Sequence, residues 1–262
     1  MAEQQFRFED GAAYEQMMGV WSRLAGDIFL DWIAPRPRLK WIDIGCGNGA
    51  FTELIVDRCA PAEVQGVDPS EAQLAFARKR PAARLAQFHQ GEAQKLTFAD
   101  RSFDVATMAL VIFFVPDPVK GVAEMVRVLR PGGIAAAYAW DIEGGGFPYD
   151  AVLAEFRSMG KTPPLPPSVG AARMENLRKL WTDAGFREIE TREISVRRNV
   201  ADFEEFWAAV LDSPSSGAMI KAMPDAERER LKAGARARLP VDSAGRRIYA
   251  GRANAIKGRL PG

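Results

Sequence analysis

From residue 39 to residue 139 the chain alternates short apolar runs with stretches whose apolar residues recur every three or four positions. Residues 39–44 read as a strand, and residues 50–59 place Phe51, Leu54, Ile55 and Cys59 on one helix face. The succession then repeats. A strand is predicted at 63–67, a helix opened by Pro69 and Ser70 and running to Lys79, a third strand at 85–89 and a fourth at 103–109. In the stretch VPDPVKGVAEMVRVLRPGG, Asp117 caps a helix, Pro118 fits its first turn, and Val122, Met125, Val126 and Leu129 form its buried stripe. Pro131, Gly132 and Gly133 stop that helix and lead into a fifth strand at 134–139. Strands alternating with helices predict a parallel sheet.

The remainder is less regular. GGG at 144–146 and TPPLPP at 162–167 mark loops, 171–184 reads as helix, and 188–198 and 247–256 read as two further strands. Helical segments at 201–211 and 225–237 lie between those strands. There is no internal repeat and no disordered tract. The pattern predicts one nucleotide-binding core, with insertions after the fifth and sixth strands forming a cap.

Composition adds exclusions. The 262 residues suffice for one α/β domain with insertions or for two smaller domains. A formal net charge of +1 gives no global field toward nucleic acid or a membrane surface. The start, MAEQQFRFED, lacks the basic and apolar pattern of a secretory signal, and the longest apolar run, 105–115, is too short to span a bilayer. A cytoplasmic location without membrane insertion is expected, with Cys46 and Cys59 as reduced thiols. One histidine and two cysteines make a poor ligand set, so no metal is expected.

The candidate chemistry begins at WIDIGCGNGA, residues 41–50. A glycine turn between a parallel strand and a helix lets backbone N–H groups come close to a ligand, because no Cβ stands in the way. Asp68 ends the second strand about twenty residues later, where an acid in such folds holds ribose hydroxyls. That spacing fits dinucleotides and adenosyl cofactors equally. Three details favour the latter: the G-x-G-x-G spacing of Gly45, Gly47 and Gly49, the acid Asp43, and a polar site after the third strand. A carboxylate beside the loop repels a pyrophosphate but suits an ammonium or sulfonium group.

Taken together, WIDIGCGNGAFTEL, VQGVDPSEAQLAFAR, GEAQKLTFADRSFDVATMAL and VLRPGG resemble the successive motifs of class I S-adenosylmethionine-dependent methyltransferases. The subgroup that the chain resembles contains the ubiquinone and menaquinone biosynthesis methyltransferases and many uncharacterised small-molecule enzymes. The resemblance covers roughly 41–139, with a weaker echo at YEQMMGVWSRLA, residues 14–25. It implies a Rossmann-like, doubly wound, seven-stranded and mostly parallel sheet with a reversed C-terminal hairpin strand and a helical cap. The organisation expected is an N-terminal helical lid (1–35), a cofactor-binding core (36–140), and insertions forming a substrate cap with the last two strands (141–262).

The resemblance implies S-adenosylmethionine as cofactor, S-adenosylhomocysteine as product and a small-molecule acceptor. By motif position, Asp43, Gly45, Gly47, Asn48 and Gly49 would face the methionine and ribose parts. Asp68 would hold the ribose hydroxyls, and Pro69 and Leu74 would pack against adenine. Glu92 and Ala93 stand where relatives read the adenine edge, and Ala109 and Leu110 where strand-end backbone meets the methionine portion.

Many relatives carry histidine near the end of the fourth strand, where this chain reads LVIFFVPD with Phe113 and Phe114. A histidine base is therefore in doubt, and His89 reads as structural. The remaining candidates for a base are Asp141 and Tyr14, with Glu143 and Tyr138 behind them. Trp140, Phe147, Tyr149, Phe203, Phe206 and Trp207 would suit a planar or apolar acceptor, or serve simply as core. Tyr14, Met18 and Trp21 share a helical face fit for a lid, and Arg23 is either a partner for the methionine carboxylate or a surface residue. The competing readings are an RNA or protein methyltransferase, suggested by cationic residues from Arg228 to Arg259, a non-catalytic binder of the same cofactor, and a dehydrogenase. No nucleic acid partner is expected, because acids intersperse those cations.

Overall fold

The computed structural model describes residues 18–163, 165–199, 202–213, 216–243 and 246–262. Tyr14 and the rest of residues 1–17 of the expected lid lie outside them. Helix α1, Val20–Ile33, precedes β1, Lys40–Ile44, which enters α2, Ala50–Cys59, through the glycine loop. Next come β2, Glu63–Asp68, α3, Glu71–Ala77, and β3, Ala86–Gln90. Strand β4, Phe103–Ala109, a short 3₁₀ turn at Ile112–Phe114, α4, Pro118–Val128, and β5, Leu129–Trp140, complete the part with regular alternation.

The sheet has seven strands in the order β3-β2-β1-β4-β5-β7-β6, where β6 is Arg187–Asn199 and β7 is Ile248–Arg259. Strands β1 to β5 pair in parallel, and β7 runs antiparallel to both β5 and β6. Strand order reverses between β1 and β4, so a crevice for a ligand opens at the carboxyl ends of those two strands.

Helix α4 starts as its sequence predicts, with Asp117 accepting from Lys120 N and Pro118 in the first turn. It ends one residue early, because Leu129 already belongs to β5. The β4–β5 register then jumps from Phe103–Leu129 to Val105–Ile134, and the intervening turn contains Gly132 at φ +78°. Thus RPGG is an excursion inside the strand rather than a boundary before it.

After β5 the chain forms α5, Asp150–Ser158, and α6, Met174–Asp183. Between β6 and β7 it forms α7, Phe203–Leu211, α8, Gly217–Lys221, and α9, Asp225–Arg238. Asn199 pairs with Ile248, and Trp140 pairs with Ala253, so both irregular stretches leave the sheet at the carboxyl edge of its parallel strands. They stand on the side of the crevice. The first turn of α1 reaches the same region, where the Trp21 and Tyr149 side chains hydrogen-bond. Lower down, the Tyr138 hydroxyl donates to Ser22 O at 3.3 Å, and its ring lies 4.7 Å from Phe29.

Candidate active site

The loop from Gly45 to Gly49 needs glycine at three positions, with φ values of +73°, +51° and +80° at Gly45, Gly47 and Gly49. The surroundings of two of them differ sharply. A Cβ on Gly45 would fall within 3.0 Å of Val111, whereas one on Gly47 would meet nothing closer than Gln73 Oε1 at 4.0 Å. Gly45 therefore seats the β4 exit, and Gly47 is the position whose missing side chain leaves room.

Five amides in and beside this loop have protein acceptors: those of Gly45, Cys46, Gly47, Gly49 and Ala50. Gly45 N and Cys46 N donate to Val67 O, Gly49 N to Cys46 O, and Glu53 N to Gly49 O. Gly47 N donates to Asp68 Oδ2 at 2.9 Å, and Ala50 N to Asn48 Oδ1 at 3.2 Å. The sequence suggested N–H groups presented to a ligand. What the folded loop presents instead is close backbone approach beside a carboxylate.

Asp68 is 9% exposed, and its second oxygen accepts from Ser70 N at 2.9 Å. Burial raises its pKa above the usual aspartate value, against the lowering effect of those two amides. Gly91 N donates to Asp68 O at 3.1 Å, which sets the turn carrying Glu92 and Ala93 beside the acid. Glu92 and Pro69 are exposed, and Ala93 is half-buried. Ala109 is half-buried at the end of β4, and Leu110 follows with φ +62°, a left-handed conformation that costs a leucine of the order of 1 kcal/mol or more. Its N–H donates to Tyr138 O at 2.8 Å, so β5 holds the strained turn.

Four of the expected residues, Asp43, Leu74, Asn48 and Gly49, are buried. Asp43 is fully buried beneath the loop, accepting from Thr52 Oγ1 at 2.6 Å and facing Thr107 Oγ1 at 3.4 Å. It is thus set back from the loop surface. Burial is the largest influence on this carboxyl and, with the Asp68 charge adding to it, pushes the pKa up to about 7 against the two threonine hydroxyls. Leu74 has no exposed surface and belongs to the core, so of the adenine pair only Pro69 lies open. Asn48 and Gly49 are likewise buried and act as supports.

The catalytic candidates fare differently. Asp141 is ion-paired to Arg252 Nη2 at 2.8 Å and accepts from Gly144 N at 3.1 Å. It clamps the GGG turn to β7, so both of its oxygens have partners within the protein. Tyr138 is sealed in the core, and His89 Nε2 bonds Gln65 Oε1 at 2.6 Å. Arg23 bonds Glu53, a partner within the protein, at 2.9 Å. Both cysteines are free and buried; burial lifts the Cys59 thiol to about 11 and raises Cys46 as well.

The aromatic residues form a continuous cluster above the sheet. Ring centroids of Phe147 and Tyr149 lie 5.6 Å apart, Tyr149 and Phe206 5.4 Å, and Phe206 and Tyr249 4.7 Å. Phe203, Phe206 and Trp207 are each about 5% exposed, so most of this cluster is packed interior. Thr52, Thr107, Glu53, Arg80 and Val111 had no sequence signal; each acts through a partner distant in the chain. Among the described residues no group of three metal-ligating side chains occurs, and no helix is long and apolar enough to cross a membrane.

Comparison with known proteins agrees with this geometry. Residues 42–137 match the family model described as a methyltransferase domain. The chain is 34% identical over 110 residues to a demethylmenaquinone methyltransferase of Desulfitobacterium hafniense, covering 40% of this chain and 44% of that one. It is 36% identical over 121 residues to a ubiquinone/menaquinone biosynthesis C-methyltransferase of Dinoroseobacter shibae, covering 45% and 48%. The matched part therefore spans about half the length of these curated relatives. A putative methyltransferase from an antibiotic biosynthesis pathway of Anabaena variabilis superposes with a TM-score of 0.64 at 17% identity, over 91% of this chain and 97% of that one, a likeness of fold. The likeness to methyltransferase domains thus covers residues 42–137 of the chain.

Proposed function

We propose that the protein binds S-adenosylmethionine at the carboxyl ends of β1, β2 and β4 and methylates a small, planar or apolar acceptor, releasing S-adenosylhomocysteine. The observation that carries this reading is the state of the glycine loop. A loop built for phosphate offers unoccupied N–H groups to an anion. Here the amides of Gly45, Cys46, Gly47, Gly49 and Ala50 are bonded within the protein, Gly47 leaves room for a ligand, and two buried carboxylates, Asp43 and Asp68, lie next to it. Such a site disfavours the pyrophosphate of a nicotinamide cofactor and favours a cation.

The residues fit that cofactor. Each Asp68 oxygen accepts one amide and retains a lone pair for a ribose hydroxyl. Pro69, Glu92 and Ala93 border the adenine side, and the Ala109–Leu110 backbone borders the methionine side. Asp43, Asn48, Gly49 and Leu74 support the loop from beneath. When bound, the cofactor supplies a methyl carbon on a sulfonium, already a good leaving group. The protein's work is then to hold the acceptor in line and exclude water. No described side chain is assigned as a base, and acidity of the acceptor itself suffices.

The segments at 141–172, 202–213 and 216–243 form the acceptor side of the site, with 36–140 as the cofactor unit and α1 closing over it. The relatives named for quinone biosynthesis and the aromatic cluster above the crevice both favour a planar acceptor. The cationic residues that raise the RNA reading are largely neutralised within the fold. Arg228 pairs with Asp225, Lys232 and Arg236 with Glu204, Arg238 with Glu155, Arg246 with Asp242, Lys257 with Glu190, and Arg259 with Glu188.

The test is incubation with S-adenosylmethionine labelled in its methyl group against a panel of hydroquinones and phenols, with RNA and a protein extract beside them. Label in a small-molecule product supports the reading. Label in RNA or protein alone overturns the acceptor class, and saturable cofactor binding with no product across the panel supports a non-catalytic binder instead.

A further inference from the structure

An enclosed group of charges lies behind the glycine loop. The side chains of Arg80 and Glu53 are only 10% and 11% exposed, and Arg80 Nη1 donates to Glu53 Oε2 at 3.0 Å. Arg23, from α1, donates to the same oxygen at 2.9 Å. The Nε of Arg80 points elsewhere, donating to the carbonyl of Asn48 at 2.7 Å, and its guanidinium lies 5.3 Å from the Phe76 ring centroid.

That carbonyl belongs to the peptide joining Asn48 to Gly49, whose N–H donates to Cys46 O at 2.9 Å. The peptide is thus gripped on both sides. Gly49 has φ +80° and no Cβ to limit it, so without a grip this peptide would be the easiest in the loop to rotate. Rotation would move the adjoining Gly47, whose open side is the space a ligand needs. The task suits arginine specifically: one planar group sends Nε to a carbonyl and Nη1 to a carboxylate, a division a single ammonium cannot reproduce at those angles.

We propose that Arg80 is a positioning residue for cofactor binding, holding the Asn48–Gly49 peptide in place while Glu53 holds its guanidinium. The proposal rests on the reading of this loop as the cofactor site. Arg23 gives Glu53 a second cationic partner, linking α1 to the same network.

The test uses the full-length chain with Arg80→Lys, Arg80→Ala and Glu53→Gln. Arg58→Ala serves as control, since Arg58 pairs with Asp27 and Asp31 on the surface. Amide hydrogen exchange is read in the ligand-free protein, and affinity for S-adenosylhomocysteine is read by calorimetry. Loss of one charge-assisted hydrogen bond is expected to speed exchange at Gly49 and Ala50 and to weaken binding, each about tenfold. Arg80→Lys should show both effects with an unfolding midpoint close to that of Arg58→Ala, and Glu53→Gln should show a smaller version. Exchange at Gly49 and Ala50 unchanged in Arg80→Lys would overturn the proposal, as would unchanged affinity. If the wild type binds no S-adenosylhomocysteine, the functional reading fails, while the exchange rates still decide whether Arg80 holds the loop.

Discussion

Gly47 and Asp68, 21 residues apart in the chain, are joined by a 2.9 Å hydrogen bond from the loop amide to the carboxylate. The bond sets the acid at the end of β2 against the one glycine of the loop that has open space beside it. It also gives Asp68 two functions, structural through Gly47 and Ser70 and ligand-binding through its remaining lone pairs.

Substitution at Asp68 should separate those functions. Asp68→Ala removes both amide contacts and the ribose acceptor, so it is expected to weaken S-adenosylhomocysteine binding by about 1 to 3 kcal/mol and to lower stability by about 1 to 2 kcal/mol. Asp68→Asn keeps one acceptor oxygen and should lose less of each. Calorimetric titration and denaturant unfolding of the same preparations read the two quantities.

The first two glycines of the loop should respond in opposite ways. In Gly45→Ala the new methyl group meets Val111 at positive φ, so a loss of stability of about 2 to 4 kcal/mol is expected, partly restored by adding Val111→Ala. Gly47→Ala meets only Gln73 Oε1 at 4.0 Å and should cost about 1 kcal/mol for its backbone conformation, yet occupy the ligand's space and abolish cofactor binding. Double-mutant unfolding and ligand titration check each half.

Asp43 predicts a pH dependence of defined sign. Its pKa in the folded protein is raised to about 7, so between about pH 4 and 7 the native state binds the proton more tightly than the unfolded chain. Stability from this group is fully present below about pH 4, falls as pH rises, and is lost by about pH 7, a change of roughly 4 kcal/mol. Asp43→Asn should therefore be more stable than wild type at pH 8, with the difference vanishing near pH 4. Ionised Asp43 also favours a cation, so S-adenosylmethionine should bind less tightly below pH 7, by more than the neutral-sulfur product does. Unfolding and titration at pH 5.5 and 8 measure both effects.

Asp141→Asn should disturb the fold and spare the chemistry. The ion pair to Arg252 is shielded at the acid, which is 8% exposed in its side chain, and losing it should lower stability by about 1 to 3 kcal/mol. The methyl-transfer rate at a temperature well below unfolding should stay within about twofold of wild type. A loss of several orders of magnitude with stability preserved would restore Asp141 as the base.

Much of the cofactor half was legible because local rules and packing agree there. The helix Ala50–Cys59 and the strand Phe103–Ala109 have the predicted bounds, since a glycine turn opens the helix and a mainly apolar run, FDVATMA, makes the strand. Helix Asp150–Ser158 was missed; its buried Val152, Leu153 and Phe156 follow GGG and Pro148, which read as loop, and the helix is only 9 residues long. The direction of side chains was less accessible. Nothing in the sequence around Asp43 or Leu74 tells that tertiary packing seals both, and leucine is a residue that gives no hint of the left-handed turn at position 110. The Arg80 contacts to Glu53 and Asn48 cross 27 and 32 residues and have no local signature.

The measurement that tests the central claim most directly is calorimetric titration of the wild-type protein with S-adenosylmethionine, S-adenosylhomocysteine and, separately, NAD. Saturable binding of both adenosyl compounds at one site per chain, without a response to NAD, is the predicted result. A folded protein that binds NAD and neither adenosyl compound would contradict the account.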